Sequence, residues 1–311
     1  MKAVIINKYG SADELKVVEM PIPSIKADEV LVKNYYTTVN PWDYKVRNGS
    51  MKFFTGNKFP KILGTESSGI IEEIGTNIHS FKKGDRVIAI TGMKIGSYSE
   101  YIAISETAIA KLPDNVSFQQ GATLPVVAST AYNALHQLGK LKKGDEVLIN
   151  GAYGGVGIAA VQLAKLAGAK VTAVCGTNNI ENVKALGADV IIDYTKQDIY
   201  MLNKQFDIVF DTVSTLDISK TKIIIKKGGI MINTLPTPKA MIAQLLSYFG
   251  SKKFKSFMNK PSPENIELLA KLVAENKLKV IFDKEYNLDE LPEAHRYSET
   301  GKAKGKIIIK V

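Results

Sequence analysis

Short apolar, β-rich runs recur along the first 120 residues, separated by polar turns. Such runs occur at Val30 to Val39, Ser68 to Ile74, Arg86 to Ile90 and Tyr98 to Ile104, broken by Gly-Asp, Gly-Thr and proline-containing turns. Short β-rich runs at this spacing predict a rolled or barrel-like β domain. The opening Met-Lys-Ala-Val-Ile-Ile-Asn reads as a first strand. Past Leu124 the rhythm changes. Helical stretches at Pro125 to Leu138, Val156 to Ala167, Ile180 to Leu186 and Asp217 to Ile225 now alternate with short apolar runs. Those runs are Val147 to Asn150, Val171 to Cys175, Val190 to Asp193, Phe206 to Phe210 and Gly229 to Asn233. This alternation specifies an α/β architecture with a doubly wound parallel sheet. From Ser251 the chain is Lys-rich with Pro261 and Pro263. It continues with an amphipathic helix (Asn265 to Glu275) and strand-like runs at Leu278 to Phe282 and Lys306 to Val311. A β-type tail suggests that the chain returns to complete its first domain. The expected division is therefore 1–121 with 256–311 against 122–255, and the segments 48–60 and 236–260 read as unconstrained loops.

The most informative stretch is Glu146 to Gly157, Glu-Val-Leu-Ile-Asn-Gly-Ala-Tyr-Gly-Gly-Val-Gly. A buried strand, a glycine-rich turn and a helix follow one another without interruption. That order places backbone N–H groups and the positive end of a helix dipole beneath a pyrophosphate. In the dinucleotide fingerprint the turn runs Ala152-x-Gly154-x-x-Gly157, with alanine where the first glycine usually sits. Gly154, Gly155, Val156 and Gly157 are the expected phosphate cradle. An NAD-preferring site would carry an acidic residue near the end of the second strand, roughly 20 residues after the glycines. Here that end is Cys175-Gly176-Thr177-Asn178-Asn179, with hydroxyl and amide donors and no carboxylate, and Lys184 lies one helical stretch on. NADPH is accordingly expected over NADH.

Composition narrows the picture further. At 311 residues with 45% hydrophobic content, the chain can fill about two cores. No run of about 18 apolar residues is present, so no spanning segment and no membrane partner are expected. One cysteine, Cys175, rules out an internal disulfide framework and reads as a small buried filler in a cytoplasmic protein. The net charge of +10 raises the question of nucleic acid, but only Arg47, Arg86 and Arg296 are arginine. The lysines fall in scattered pairs beside turns, so a solvated surface is expected and nucleic acid is not.

Several ordered motifs resemble the medium-chain dehydrogenase/reductase superfamily, in its zinc-free quinone oxidoreductase and enone (alkenal) reductase branch. They are Val39-Asn40-Pro41-Trp42-Asp43-Tyr44-Lys45, Leu63-Gly64-Thr65-Glu66-Ser67-Ser68-Gly69 and Phe81-Lys82-Lys83-Gly84-Asp85-Arg86-Val87. The series continues with Gly96-Ser97-Tyr98-Ser99-Glu100-Tyr101, Ser129-Thr130-Ala131-Tyr132, Leu186-Gly187-Ala188-Asp189 and Gly301-Lys302-Ala303-Lys304-Gly305-Lys306. The resemblance implies a β-rich GroES-like domain formed by both chain ends, a Rossmann domain between them and an active site in the cleft. Zinc-dependent relatives carry a cysteine in the segment matching Asn40 to Tyr44 and a histidine beside the Glu66 position. Here Pro41, Trp42, Asp43 and Thr65 stand there. No metal is therefore expected, since zinc needs three or four Cys, His or carboxylate ligands. His79, His136 and His295 are expected to be surface or packing residues.

The same resemblance supplies roles. Asn40 would donate to a substrate carbonyl, Lys45 to the cofactor or an oxyanion, and Tyr44 would relay a proton. Thr130 would bind near the nicotinamide phosphate, and Gly176, Thr177 and Asn178 would face the adenosine ribose. Tyr194 would pack by a 2′-phosphate, Thr234 and Leu235 would line the nicotinamide pocket, and Lys304 would reach back to the cofactor. Quinones and α,β-unsaturated carbonyls are electron-poor already and need no metal to accept hydride. The expected activity is NADPH-dependent reduction of such small molecules, by a homodimer as in relatives. Two other readings stay open: a nucleotide-binding zeta-crystallin-like protein with RNA affinity, and an enoyl-thioester reductase.

Overall fold

A computed structural model describes all residues from Met1 to Val311. The chain divides into two compact units, Met1–Val126 with Pro261–Asn276 and Val280–Val311, and Val127–Lys260 with Lys277–Lys279.

In the first unit the strands pair antiparallel, except that Phe282–Asn287 lies parallel to Lys306–Lys310. One sheet runs in the order Phe282–Asn287, Lys306–Lys310, Glu29–Val39, Glu66–Ile74, Arg86–Ile90 and Ile109–Lys111, and Tyr101–Ser105 also pairs with Glu29–Val39. A smaller sheet joins Lys16–Glu19, Lys2–Ile6 and Lys61–Ile62. Both chain ends contribute, because Lys306–Lys310 lies against Glu29–Val39 with Ile307 opposite Val39. The apolar run from Leu278 to Phe282 does not form the expected strand. Leu278 is buried, while the backbone of Lys279 exchanges hydrogen bonds with the Gln162 side chain at 2.8 and 3.0 Å. The strand begins only at Phe282 and is mostly polar, as an outermost strand with solvent on its flank tolerates.

The second unit is a six-stranded, wholly parallel sheet. Its order is Val190–Asp193, Lys170–Cys175, Glu146–Asn150, Phe206–Asp211, Ile225–Asn233 and Lys253–Ser256. The order reverses direction next to Glu146–Asn150, which is the doubly wound arrangement, and ligands bind such sheets at the carboxyl ends of their strands. Val147, Leu148 and Ile149 are fully buried because helices cover both faces of a parallel sheet.

The segment 236–260 is not the loop expected of it. It holds a helix, Pro238–Ser247, and the sixth strand, Lys253–Ser256. Thr237 caps the helix by accepting from the Ala240 N–H, and Pro238 occupies its first turn. That Thr-Pro start was present in the sequence. Likewise a short helix, Lys52–Thr55, interrupts the expected loop at 48–60.

Candidate functional site

The dinucleotide turn is made by backbone. Gly151 closes the strand with φ of 77°, a conformation that favours glycine, so it makes the tight turn expected one residue later at Ala152. Ala152 is buried, and the Thr212 hydroxyl donates to the carbonyls of Asn150 and Gly151 at 2.8 and 3.2 Å. The helix Gly155–Leu166 starts beyond Gly154, leaving the first amides of its opening turn pointing outward. A Cβ on Gly157 would lie 2.1 Å from the Gly151 carbonyl oxygen, so this glycine permits helix and strand to touch. A Cβ on Gly154 would meet only that oxygen at 3.6 Å and otherwise project into open space. The open space and the outward amides fit a pyrophosphate. Gly155 and Val156, both half-buried, complete the rim.

The ribose end departs from expectation. Parallel pairing sets Cys175 opposite Asp193, which brings a carboxylate to a segment that has none of its own. Asp193 accepts the hydroxyls of Thr177 at 2.5 Å and Thr195 at 2.7 Å, together with the Thr195 N–H at 3.0 Å. Those hydroxyl bonds hold its carboxyl below the usual range. The Thr177 hydroxyl proton is thus committed to Asp193. Gly176 abuts Tyr194, whose hydroxyl would stand 3.2 Å from a Cβ there. Tyr194 is 64% exposed, and Asn178 is exposed beside it in the chain segment Thr177–Asn179. At the other strand ends, the Thr234 hydroxyl donates to the Thr212 carbonyl at 3.3 Å. The Leu235 N–H donates to the Asn233 side chain at 2.6 Å, and both residues are half-buried. Thr130 lies buried in the turn Ser129–Tyr132, between two wider helical turns. Cys175 is buried, and burial raises its thiol pKa, as suits a filler.

In the first unit the candidates after Val39 sit on a short helix, Pro41–Arg47. Asn40 caps it, and the Asn40 N–H donates to Asp43 at 2.7 Å. Tyr44 and Lys45 are half-buried, and burial raises the Tyr44 phenol pKa. Asn40 itself is only 1% exposed, and its amide is already engaged. It donates to Thr38 at 3.1 Å, Thr65 at 3.2 Å and Glu66 at 2.9 Å, and accepts from Lys306 at 2.6 Å. A free donor for a substrate oxygen is therefore not what Asn40 presents. It is one corner of a buried cluster in which the Lys306 ammonium meets Glu66 at 3.0 Å. The Thr38 hydroxyl also donates to this Glu66 oxygen, and the other oxygen takes the Val126 N–H at 2.7 Å. Lys304, expected to reach the cofactor, is exposed, and its backbone N–H is tied to Asp283 at 3.0 Å. Gly305 separates it from Lys306, where the strand begins and the side chain turns inward.

Sequence reasoning passed over Lys306, Thr38 and the role of Glu66. Charged residues opening or flanking the apolar runs Ile307-Ile308-Ile309 and Val30 to Val39 were the available signal. A second buried set lies beneath the same helix. Arg47, fully buried, pairs with Glu299 at 2.5 Å and lies 3.4 Å from His295, whose other ring nitrogen is 3.1 Å from the Tyr98 hydroxyl. Burial and the Arg47 charge push His295 down to about 3, whereas burial and the neighbouring Glu66 push Asp43 up to about 7. His295 is a packing residue, while His79 is exposed and His136 half-buried.

The Glu66 carboxylate is already engaged by the Lys306 ammonium, the Asn40 amide, the Thr38 hydroxyl and the Val126 N–H, with the buried Asp43 as its carboxylate neighbour. No group of three His, Cys, Asp or Glu side chains is disposed to hold an ion.

Known proteins add the following. The alcohol dehydrogenase GroES-like domain model matches residues 26–114, and the zinc-binding dehydrogenase model matches residues 186–309. The chloroplast envelope quinone oxidoreductase homolog of Arabidopsis thaliana is 35% identical over 99% of this chain and 98% of its own length. The NADPH-dependent alkenal/one oxidoreductase, chloroplastic, of the same plant is 31% identical over 99% of this chain and 79% of its own. The solved quinone oxidoreductase from Coxiella burnetii superposes with a TM-score of 0.93 at 32% identity, covering 100% of this chain and 99% of that one.

Proposed function

The chain belongs to the quinone and enone oxidoreductase branch of the medium-chain dehydrogenase/reductase superfamily, and on that premise we propose that it reduces quinones or α,β-unsaturated carbonyls with NADPH and without zinc. The observation that carries the reading is the Gly151–Gly157 turn, open at Gly154 and closed at Gly157, at the amino end of a helix. Bound there, a reduced nicotinamide supplies hydride. The Gly154, Gly155, Val156 and Gly157 backbone would hold the pyrophosphate, with Thr130, Thr234 and Leu235 toward the nicotinamide. Gly176, Asn178 and Tyr194 would meet the adenosine ribose. A second strand that ends without an acid of its own supports the 2′-phosphate form, and the charge of Asp193 limits that preference.

An electron-poor acceptor needs steadying of the oxygen that gains charge, not a Lewis acid. Tyr44 and Lys45 are the side chains proposed for this, Lys45 as donor and Tyr44 as proton relay. Asn40, Glu66 and Lys306 would act behind them as positioning residues, fixing the cap of the helix that carries both. We place the protein in the cytoplasm as a homodimer as part of the same proposal. The test is steady-state oxidation of NADPH and NADH over 1,4-naphthoquinone, 9,10-phenanthrenequinone, short 2-alkenals and crotonyl-CoA. Turnover of quinone or free enone with NADPH favoured is the expected result. Turnover of the thioester alone, or none with any acceptor, would overturn it.

A further inference from the structure

Three apolar runs of the second unit each end on a polar residue: Ile149 precedes Asn150, Phe210 precedes Asp211 and Ile232 precedes Asn233. Parallel register sets the three side by side at the carboxyl ends of neighbouring strands, with Asp211 opposite both Asn150 and Asn233. All three are buried, Asp211 fully. Polar side chains in such a place need partners, and theirs fix one short loop, 212–216. The Asp211 carboxylate accepts the Asn150 amide and the Leu216 N–H, both at 2.8 Å, and the Asn150 amide also donates to the Thr215 hydroxyl at 3.0 Å. From the other flank Asn233 accepts the Ser214 hydroxyl at 2.8 Å and the Leu235 N–H at 2.6 Å. Between these anchors Ser214 has φ of 59°, left-handed backbone that a residue with a Cβ adopts only under strain. A strained loop tied on both flanks is held to one shape.

That shape presents Val213. Its side chain is 50% exposed, an apolar group left in the open by a loop otherwise tied down. It stands at the dinucleotide turn, since a Cβ on Gly151 would lie 2.7 and 3.2 Å from the two Val213 methyls. Strand order says which half of a dinucleotide passes it. Cys175 and Asp193, by which the adenosine ribose is assigned, end the strands on one side of Glu146–Asn150, whereas Val213 follows the strand on the other side. A dinucleotide laid across the turn therefore brings its nicotinamide half to Val213.

Given the dinucleotide reading of the turn, on which this rests, we propose that Val213 is a wall against the nicotinamide half of the coenzyme. Asp211, acting through Asn150 and the backbone of 212–216, is the positioning residue that sets the wall in place before the coenzyme arrives. A wall already formed needs no ordering on binding, so its contact adds to affinity undiminished.

The test is calorimetry of NADPH and of 2′-phospho-ADP-ribose, which lacks the nicotinamide, with the full-length protein and variants whose folds are checked by their thermal transitions. Val213→Ala should weaken NADPH binding about threefold to tenfold and leave the fragment unchanged. Asp211→Asn leaves an amide donor facing another donor. The loop is then in place only part of the time, and NADPH binding should weaken about tenfold, again without change for the fragment. The exchange Asn150→Asp/Asp211→Asn restores each donor–acceptor pair with the roles reversed and should recover wild-type affinity. A general loosening of the fold would instead weaken both ligands. Equal losses for both ligands, or no loss in Val213→Ala, would overturn the proposal while leaving the turn as a coenzyme site. Failure of a folded exchange variant to recover NADPH binding would remove Asp211 from its role. Wild-type protein that bound neither ligand would overturn the dinucleotide reading itself, and the wall with it. Val213 is exposed, so trimming it spares the core and decides the matter even where an Asp211 variant unfolds.

Discussion

The glycine turn of the nucleotide unit and the buried polar cluster of the β-rich unit are assembled by opposite means. The turn is a contiguous run of backbone from Gly151 to Gly157, where the ligand surface is left by side chains that are missing. The cluster is four side chains, Thr38, Asn40, Glu66 and Lys306, drawn together from strands distant in sequence by sheet register. A backbone site fails when an atom is added in the wrong place. A side-chain cluster fails when one charge is taken away and its partner is left without water.

The strongest test of that contrast is Lys306→Met. Glu66 is fully buried, so the variant strands its charge, and a loss of about 3–5 kcal/mol in urea unfolding is expected. Adding Glu66→Gln should restore most of it, because the double variant buries no unpaired ion. A single variant as stable as wild type would show that the cluster is not held by its charges.

The second set of side chains under the same helix sharpens the contrast through pH. Asp43 is pushed up to about 7 from 3.8, so the folded state holds a proton the unfolded state has lost, and its contribution falls as pH rises across that window. His295 is pushed down to about 3 from 6.5, so the unfolded state binds the extra proton and stability falls as pH drops across that range. In the overlap the two slopes oppose each other, and the wild type should be nearly flat from this source. Asp43→Asn, which keeps an acceptor for the Asn40 N–H, should lose stability on acidification below pH 6.5. His295→Gln should lose it as pH rises from about 4 to 7. Each slope approaches about 1.4 kcal/mol per pH unit. Thermal melts across that range would refute the assignment if both variants sloped the same way.

At the turn, Gly157→Ala and Gly154→Ala should part company. The first drives a Cβ into the Gly151 carbonyl and should cost about 1–3 kcal/mol of stability as well as coenzyme affinity. The second has room and should leave the melting temperature unchanged while weakening coenzyme binding by calorimetry. Unchanged coenzyme affinity in Gly154→Ala would mean that the open face at Gly154 is not a binding surface.

The same contrast explains what could be read from the chain unaided. The strands Glu146–Asn150 to Ile225–Asn233 were legible because continuous apolar runs bury both faces of a parallel sheet, and the phosphate turn because its glycines are consecutive. The helix Pro238–Ser247 was not, because its large apolar residues face outward and its small ones inward, against the usual pattern. Lys306 was lost beside Lys304 in a repetitive Gly-Lys stretch, where only the register Ile307 opposite Val39 decides which lysine turns in. Asp193 was lost because it ends the third strand, and nothing local to Thr177 reveals what the neighbouring strand brings.

Asp193 is also the point where side-chain construction enters the backbone-built site, and it yields the smallest but most specific prediction. Its carboxylate is held ionised by the Thr177 and Thr195 hydroxyls, and in the proposed binding mode it would face the position where the two coenzymes differ by a 2′-phosphate. Asp193→Asn keeps an acceptor for one hydroxyl, removes the repulsion and frees the other hydroxyl to donate. Binding of NADPH followed by calorimetry should tighten by about tenfold or less, since water at the site screens the charge, while NADH binding stays nearly constant. High salt should shrink the difference between variant and wild type, because a screened repulsion is what the substitution removes. An unchanged ratio of the two affinities would mean that the adenosine ribose does not approach Asp193, and the recognition assigned to Gly176, Asn178 and Tyr194 would have to move elsewhere on the strand ends.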